Sequence, residues 1–516
     1  MSLINLIKNI DSSFKTKLLG NETTKILKYT FTKSDGEAVA PAIINQALAA
    51  YKGSKLVFND QLRADLIEYI KVSDLVSLGF KDHDEAILFY KSDINRFISD
   101  FSIEPIYKVD TSIENRANFE YTIPKYGENN GTNAFPHPYQ LRLKDQVLHH
   151  FLNNQHQNTL ATMPTGAGKT VLAMEVVIDL FRTFRVDSKD VLKIGWFVDS
   201  KELCEQSLQS FQKLWKQKGD RKVMAQRYFT PFKNLDNRPE NQITFASFSL
   251  LSARRTDTDV KAFLSDLDLV IIDEAHGSNA QTYSEVIDDY KKLNKDGKIL
   301  GLTATPFRND DDEFQTLKGM FNSYLELTDS NNKAVPSPIE YLVNRQYLAK
   351  INYQVLNATK GESQSEYYND LHSMVKSECE KIILNKKNCI IFAESLSHAI
   401  ALNIFLSNND IENELIIGET PNTKRKDYLE RFGDEKDNLS ILINFDILAT
   451  GIDVPGLNSI MILRNIQSAI IALQILGRAM RGKLNGGNKE NTIFLTKDNQ
   501  NRLIEYKVLE DQVLNN

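Results

Sequence analysis

Three cysteines in 516 residues, Cys204, Cys379 and Cys389, are too few and too scattered for a disulfide framework or a zinc site with Cys-x-x-Cys spacing. A reducing compartment, the cytoplasm, is therefore the expected setting. No run of 18 apolar residues occurs, and Lys8, Asp11, Lys15 and Lys17 interrupt the first twenty positions, so neither a membrane span nor a secretory leader is expected. Glycine (23) and proline (13) are too scarce for a collagen-like or low-complexity chain. An excess of positive charge is also missing. With 62 basic against 68 acidic residues the formal charge is -6, so a nucleic-acid partner would have to be met by a local patch. What is present, 41% hydrophobic and 25% charged residues, is the composition of a folded soluble protein. At about 150 residues per domain the length accommodates roughly three domains.

Between Leu3 and about Phe101, apolar residues recur at three-to-four spacing (Leu3, Leu6, Ile7, Ile10; then Leu62, Leu66, Ile67, Ile70), which predicts an α-rich N-terminal domain. Residues 122–138 concentrate proline, glycine and asparagine and predict a linker. Beyond it, short β-branched runs alternate with amphipathic stretches around residues 193–198, 242–246, 269–272 and 298–303, and again around 389–393, 415–417, 441–444, 460–463 and 492–495. That alternation predicts an α/β fold with two tandem parallel-sheet domains wrapped by helices. The expected divisions are an accessory domain and linker over 1–134, a first α/β domain over 135–325, a connector over 326–387 and a second α/β domain over 388–516.

Met163-Pro164-Thr165-Gly166-Ala167-Gly168-Lys169-Thr170 stands between an apolar run, Leu160 to Met163, and an apolar helical stretch, Val171 to Val177. Strand, glycine loop and helix form the context for holding phosphate. Glycines let successive N–H groups converge, the helix N-terminus adds a favourable dipole and Lys169 adds a mobile charge. Thr165, Gly166, Ala167, Gly168, Lys169 and Thr170 are thus candidates for binding ATP, with the Thr170 hydroxyl on Mg²⁺, and Met163 occupies the place where the motif has glycine. Further on, the buried-strand pattern Leu267 to Ile272 ends in Asp273-Glu274-Ala275-His276. Two carboxylates then sit at the C-terminal end of a strand, where open α/β sheets bind ligands. Asp273 is the candidate for the Mg²⁺ shell and Glu274 for polarising the water that attacks the γ-phosphate. Lys213, Lys216, Lys218, Arg221, Lys222 and Arg227, beside Trp215 and Tyr228, read either as a solvated helix face or as a track for single strands. Cys389 opens an apolar run and reads as core.

With these motifs in this order, residues from about Phe135 to Thr496 resemble the superfamily 2 helicases and translocases of the DEAH-box branch. Thr303-Ala304-Thr305-Pro306 is similar to the family motif that couples ATP hydrolysis to nucleic-acid binding. Phe197 to Gln206 and Thr244 to Ser247 stand where the family places loops on the nucleic-acid backbone. The run Ala449 to Pro455, with Gly451 and Asp453, and the run Gln474-Ile475-Leu476-Gly477-Arg478-Ala479-Met480-Arg481 are similar to the motifs that close the ATP cleft from the second domain. The text is nearest to RadD-like helicases and type III restriction-enzyme helicase subunits. Its adenine-contacting segment, Pro136-His137-Pro138-Tyr139-Gln140, keeps Gln140 but has His137 in place of arginine, and no cysteine follows Cys389 to build the zinc module of RadD-like proteins.

The resemblance implies two RecA-like domains behind the α-rich N-terminal domain, with ATP and Mg²⁺ bound between them. It implies catalytic roles for Lys169, Asp273, Glu274, His276, Gln474, Arg478 and Arg481, the last as arginine finger and Arg478 as a second γ-phosphate contact. The two arginines, three residues apart, are expected on one side of a helix. The implied activity is that of an ATP-dependent helicase or translocase in repair, restriction or phage defence. Its track is expected to be DNA, gripped by its backbone without regard to sequence. The alternative is a DNA-stimulated ATPase subunit that signals to a separate nuclease. Lacking a single-sign patch, the N-terminal domain is expected to recognise a protein partner and to be dispensable for ATPase activity, with recognition of substrate geometry as the other reading.

Overall fold

The N-terminal helical periodicity folds into eight short helices, α1 to α8: Leu3–Lys8, Ser12–Leu19, Asn21–Phe31, Pro41–Phe58, Asp60–Glu68, Val72–Ser77, His83–Ser92 and Ile94–Asp100. Several start where the side chain of Asp11, Asn59, Asp82 or Asp93 accepts from backbone N–H groups of the first turn, which satisfies donors that a helix start leaves open. The computed structural model describes residues 3–32, 37–103, 117–121, 136–152, 158–183, 191–236, 240–275, 280–304, 320–358, 363–434, 436–445, 447, 454, 456–467 and 469–505.

The first sheet has eight strands: β1 (Asn118–Tyr121), β2 (Asn158–Thr162), β3 (Lys193–Val198), β4 (Val223–Tyr228), β5 (Gln242–Ser247), β6 (Leu269–Ile272), β7 (Lys298–Thr303) and β8 (Ser323–Leu325). Their order across the sheet is β1-β4-β5-β3-β6-β7-β2-β8. All pairs are parallel except β1 with β4 at the edge. Strands β4, β5 and β6 are buried along their whole length, as expected of a parallel sheet covered on both faces. The covering helices are α9 (Pro138–Leu152), α10 (Lys169–Thr183), α11 (Lys201–Lys218), α12 (Phe248–Ala253), α13 (Thr258–Ser265) and α14 (Ala280–Leu293).

After α15 (Pro338–Asn344) comes a second, six-stranded and wholly parallel sheet, in the order β11-β12-β10-β13-β14-β9. Its strands are β9 (Lys350–Leu356), β10 (Cys389–Phe392), β11 (Asn413–Ile416), β12 (Ile441–Asn444), β13 (Ser459–Ile462) and β14 (Glu490–Thr496). Its helices are α16 (Gln364–Leu384), α17 (Leu396–Ser407), α18 (Asn422–Gly433), α19 (Ala469–Ala479) and α20 (Lys497–Glu505). The stretch 326–387, expected as a connector, therefore supplies β9 and α16 to this second unit, which begins by Lys350. The reason is pairing. Strand β9 lies alongside β14 over seven residues, a partnership invisible in a chain position so far from β14.

Side chains alternate across β10: Ile390 and Phe392 join the core shared with the first domain, while Cys389 and Ile391 join a core on the opposite face, as period-two geometry requires. That opposite core contains Leu27 of α3, Leu48 of α4, Cys379 of α16 and Ile400 of α17. The N-terminal helices are thus packed onto the second domain. Thr23 and Ser397 hydroxyls meet at 3.0 Å, Lys55 pairs with Glu419 at 3.0 Å, and the Tyr29 ring stacks with Tyr368.

Candidate active site

The phosphate loop follows β2. Met163 is buried and its N–H donates to the Thr303 carbonyl at 3.0 Å, so the residue standing in the motif's glycine place extends strand pairing into the loop. Gly168 has φ 83°, a left-handed conformation that glycine adopts without strain. A Cβ there would strike Gln140. Gln140 Nε2 donates to the Ala167 carbonyl at 3.0 Å, the Tyr139 hydroxyl donates to the same oxygen at 2.8 Å, and the His137 N–H donates to Gln140 Oε1 at 2.7 Å. The first turn of α9, with His137 just before it, therefore braces the loop from behind.

Helix α10 begins at Lys169, so Lys169 and Thr170 stand on its first turn beside the end of β6. Thr170 Oγ1 donates to Asp273 Oδ2 at 3.1 Å, and Lys169 Nζ lies 3.5 Å from Glu274 Oε1. The Asp273 carboxyl is fully enclosed and held above the usual carboxylate range, first by burial and then by the Glu274 charge, with Lys169 pulling the other way. A hydroxyl and a carboxylate oxygen side by side are hard oxygen donors of the kind Mg²⁺ takes. The donor set fits the ion. Glu274 has φ 57°, a costly backbone for a residue with a side chain.

The second domain meets this loop through α19. Gly477 faces Thr165 so closely that any side chain there would collide with it, and a Cβ on Gly166 would stand 3.2 Å from the Gly477 carbonyl oxygen. Gln474 and Arg478 are half-buried one turn apart on the same helix. Arg481 departs from expectation. Helix α19 ends at Ala479, and Arg481 forms an antiparallel bridge with Leu348 while the Ala349 N–H donates to the Met480 carbonyl. Met480 and Arg481 pair with the backbone of 348–349 instead of continuing the helix, so the two arginines do not share one helical face. Sequence reasoning missed two cleft residues: Tyr347 packs on the His137 and Tyr139 rings, and Asn485 Oδ1 lies 2.6 Å from His137 Nε2. Neither belongs to a motif, and only their position between the domains reveals them. His276, Thr305, Pro306, Gly451 and Asp453 lie outside the described residues.

The loops expected on nucleic acid, after β3 and β5, are on the same edge of the sheet as the candidate phosphate-binding residues. The single-strand track fails. Trp215 and Tyr228 are completely buried, Arg227 pairs with Glu205 at 2.7 Å and lies over Phe119, and Lys218 pairs with Glu175. Parallel-sheet burial claims the aromatics, and acidic neighbours claim those charges.

Two parallel α/β sheets facing each other across a glycine loop and a carboxylate pair define the tandem RecA-like fold. The family model described as type III restriction enzyme, res subunit, matches residues 134–308, and that of the helicase conserved C-terminal domain matches 373–483. These two matches, in this order along the chain, support a superfamily 2 helicase related to restriction-enzyme subunits. It is 26% identical over 63% of its length to a Sulfolobus islandicus filamentous virus protein that carries a helicase name, covering 58% of that protein. It is 24% identical over 63% of its length to the type I restriction enzyme EcoKI endonuclease subunit of Escherichia coli, covering 31% of that subunit. Among solved structures, Saccharomyces cerevisiae Dbp5 bound to RNA and ADP BeF3 is similar at TM-score 0.51 and 16% identity, covering 73% of this chain and 92% of that one. The chain spans less than two thirds of the length of these curated relatives. No helix among the described residues is long and apolar enough to cross a membrane.

Proposed function

We propose that this protein is a nucleic-acid-dependent ATPase, a helicase or translocase of the DEAH-box type that moves on DNA by gripping its backbone. The observation that carries this reading is the meeting of Lys169, Thr170, Asp273 and Glu274 at one strand edge, with Gly477 of the second domain pressed against Thr165. ATP would be held by the backbone of 165–170, with Gln140 bracing the loop behind the nucleotide. Mg²⁺, on Thr170 and Asp273, would supply charge neutralisation at the phosphates. Lys169 binds phosphate oxygens electrostatically, and in doing so leaves Glu274. Released from that pair, the Glu274 carboxylate orients and polarises the attacking water. Gln474, Arg478 and Arg481 approach from the second domain, so hydrolysis depends on closure, and His276, Gly451 and Asp453 complete the family set.

The similarity to a restriction-endonuclease subunit favours one second reading, a motor that signals to a separate nuclease without unwinding by itself. ATP turnover measured with single-stranded, duplex and forked DNA and RNA, alongside strand separation, tests both. Lys169→Ala is expected to abolish turnover with the fold intact, and Glu274→Gln to bind ATP within a few fold of wild type yet not turn it over. Wild-type turnover in Lys169→Ala would overturn the site.

A further inference from the structure

Tyr283, on α14, is 2% exposed and packs at the C-terminal end of the first sheet, against Phe248. Strands β5, β3 and β6 are neighbours, so Phe248 after β5, Asp199 after β3 and Glu274 after β6 stand side by side at their C-terminal ends. The Tyr283 ring stacks on Phe248, with centroids 3.9 Å apart and planes 20° apart. Its hydroxyl is within electrostatic reach of the Asp199 and Glu274 carboxylates; burial first, and then these two charges, hold its proton on. The buried hydroxyl leans toward Asp199, yet forms no well-made hydrogen bond with any described residue. Leaving such a group unsatisfied costs about 1–3 kcal/mol. A phenol has one proton to donate, so it can serve only one of the two carboxylates at a time. One carboxylate belongs to the hydrolytic centre and the other to the loop expected on nucleic acid.

We propose that Tyr283 is a positioning residue whose O–H alternates between Asp199 and Glu274, so that engagement of the loop after β3 by nucleic acid turns the hydroxyl to Glu274 and fixes that carboxylate for the attacking water. The ring stays against Phe248 in both arrangements, and only the hydroxyl changes partner. This deepens the function proposed above and rests on it.

The test is steady-state ATPase of the full-length protein with and without single-stranded DNA, for wild type, Tyr283→Phe, Asp199→Asn and the double variant. Tyr283→Phe should keep the melting temperature and the KM for ATP, because the stacked ring remains, while the DNA-stimulated kcat falls about tenfold or more, the scale of a misplaced catalytic group. Asp199→Asn should lower it similarly, and the double variant should fall no further than the singles, as for residues acting through one contact. Stimulation retained in full by Tyr283→Phe, or losses that multiply in the double variant, would overturn this inference alone. Absence of stimulation in wild type would overturn it together with the functional reading.

Discussion

Helices α11 and α17 each flank a parallel sheet, one in each α/β domain, yet they meet solvent very differently. Helix α11 buries a stripe of Cys204, Ser207, Leu208, Phe211, Leu214 and Trp215 and leaves Lys201, Glu202, Lys213 and Lys216 exposed. Helix α17 buries Ser397, His398, Ala399, Ile400, Ala401, Leu402, Ile404 and Leu406, which occupy every side of the helix. A helix apolar all round must be covered all round. The second sheet covers one side of α17, and α3 and α4 cover the other. The difference teaches that the N-terminal helices are an outer layer of the second domain, built into its core, whatever else they recognise.

Deleting residues 1–135 should have the largest effect. It strips the cover from α17 and removes Leu27, Leu48, Leu56 and Val57 from a common core. Each such side chain accounts for about 1.5–3 kcal/mol on burial, against a net stability of about 5–15 kcal/mol for a folded domain. The truncated chain is therefore expected to be insoluble or to lose cooperative melting, in place of the dispensable domain that the N-terminal pattern alone suggests. Calorimetry decides it: a soluble truncated chain with a sharp transition and ATPase activity would break the comparison.

Within the intact chain, Ile400→Ala on α17 should cost about 2–5 kcal/mol in denaturant melts, since a fully buried aliphatic side chain leaves a cavity. A loss under 1 kcal/mol would mean that the N-terminal layer is loosely held.

Acid should act at the same junction. The Glu394 N–H donates to His398 Nδ1, so His398 carries its proton on Nε2 and donates it to His372 Nε2 at 3.0 Å. Both imidazoles are buried. Burial pushes His398 down to about 4, and burial followed by the His398 charge pushes His372 well below its ordinary value. An unfolded histidine takes its proton near 6.5. The stability from holding these rings neutral is therefore complete above about pH 6.5 and is lost as pH falls toward 4, by roughly 3 kcal/mol for His398. Melting curves between pH 7.5 and 5 should show the loss, and a His372→Leu, His398→Leu double variant should show a smaller one. An equal loss in both would remove the pair from the account.

The smallest effect completes the contrast. Lys213→Ala, on the exposed side of α11, should change stability by no more than about 0.5 kcal/mol. A large loss there would imply that α11 is also covered.

The residues proposed to hold ATP were legible in the chain because their chemistry is local. A tight glycine turn, the lysine after it and a carboxylate pair at a strand end are each specified within a few neighbouring positions, and the alternation of apolar runs predicts the two parallel sheets. Strand order, the membership of β9 and the place of the N-terminal helices were decided by contacts between distant positions, such as Thr23 with Ser397 and Lys350 with Glu490. The same holds inside the site. Whether Trp215 stacks on a base or fills a core, where α19 stops before Arg481, and that Gly477 lies on Thr165 follow from what each group packs against. Local pattern determines backbone conformation and chemical type. Burial and partner choice are properties of the closed surface, and they come into being only when segments hundreds of residues apart exclude water together.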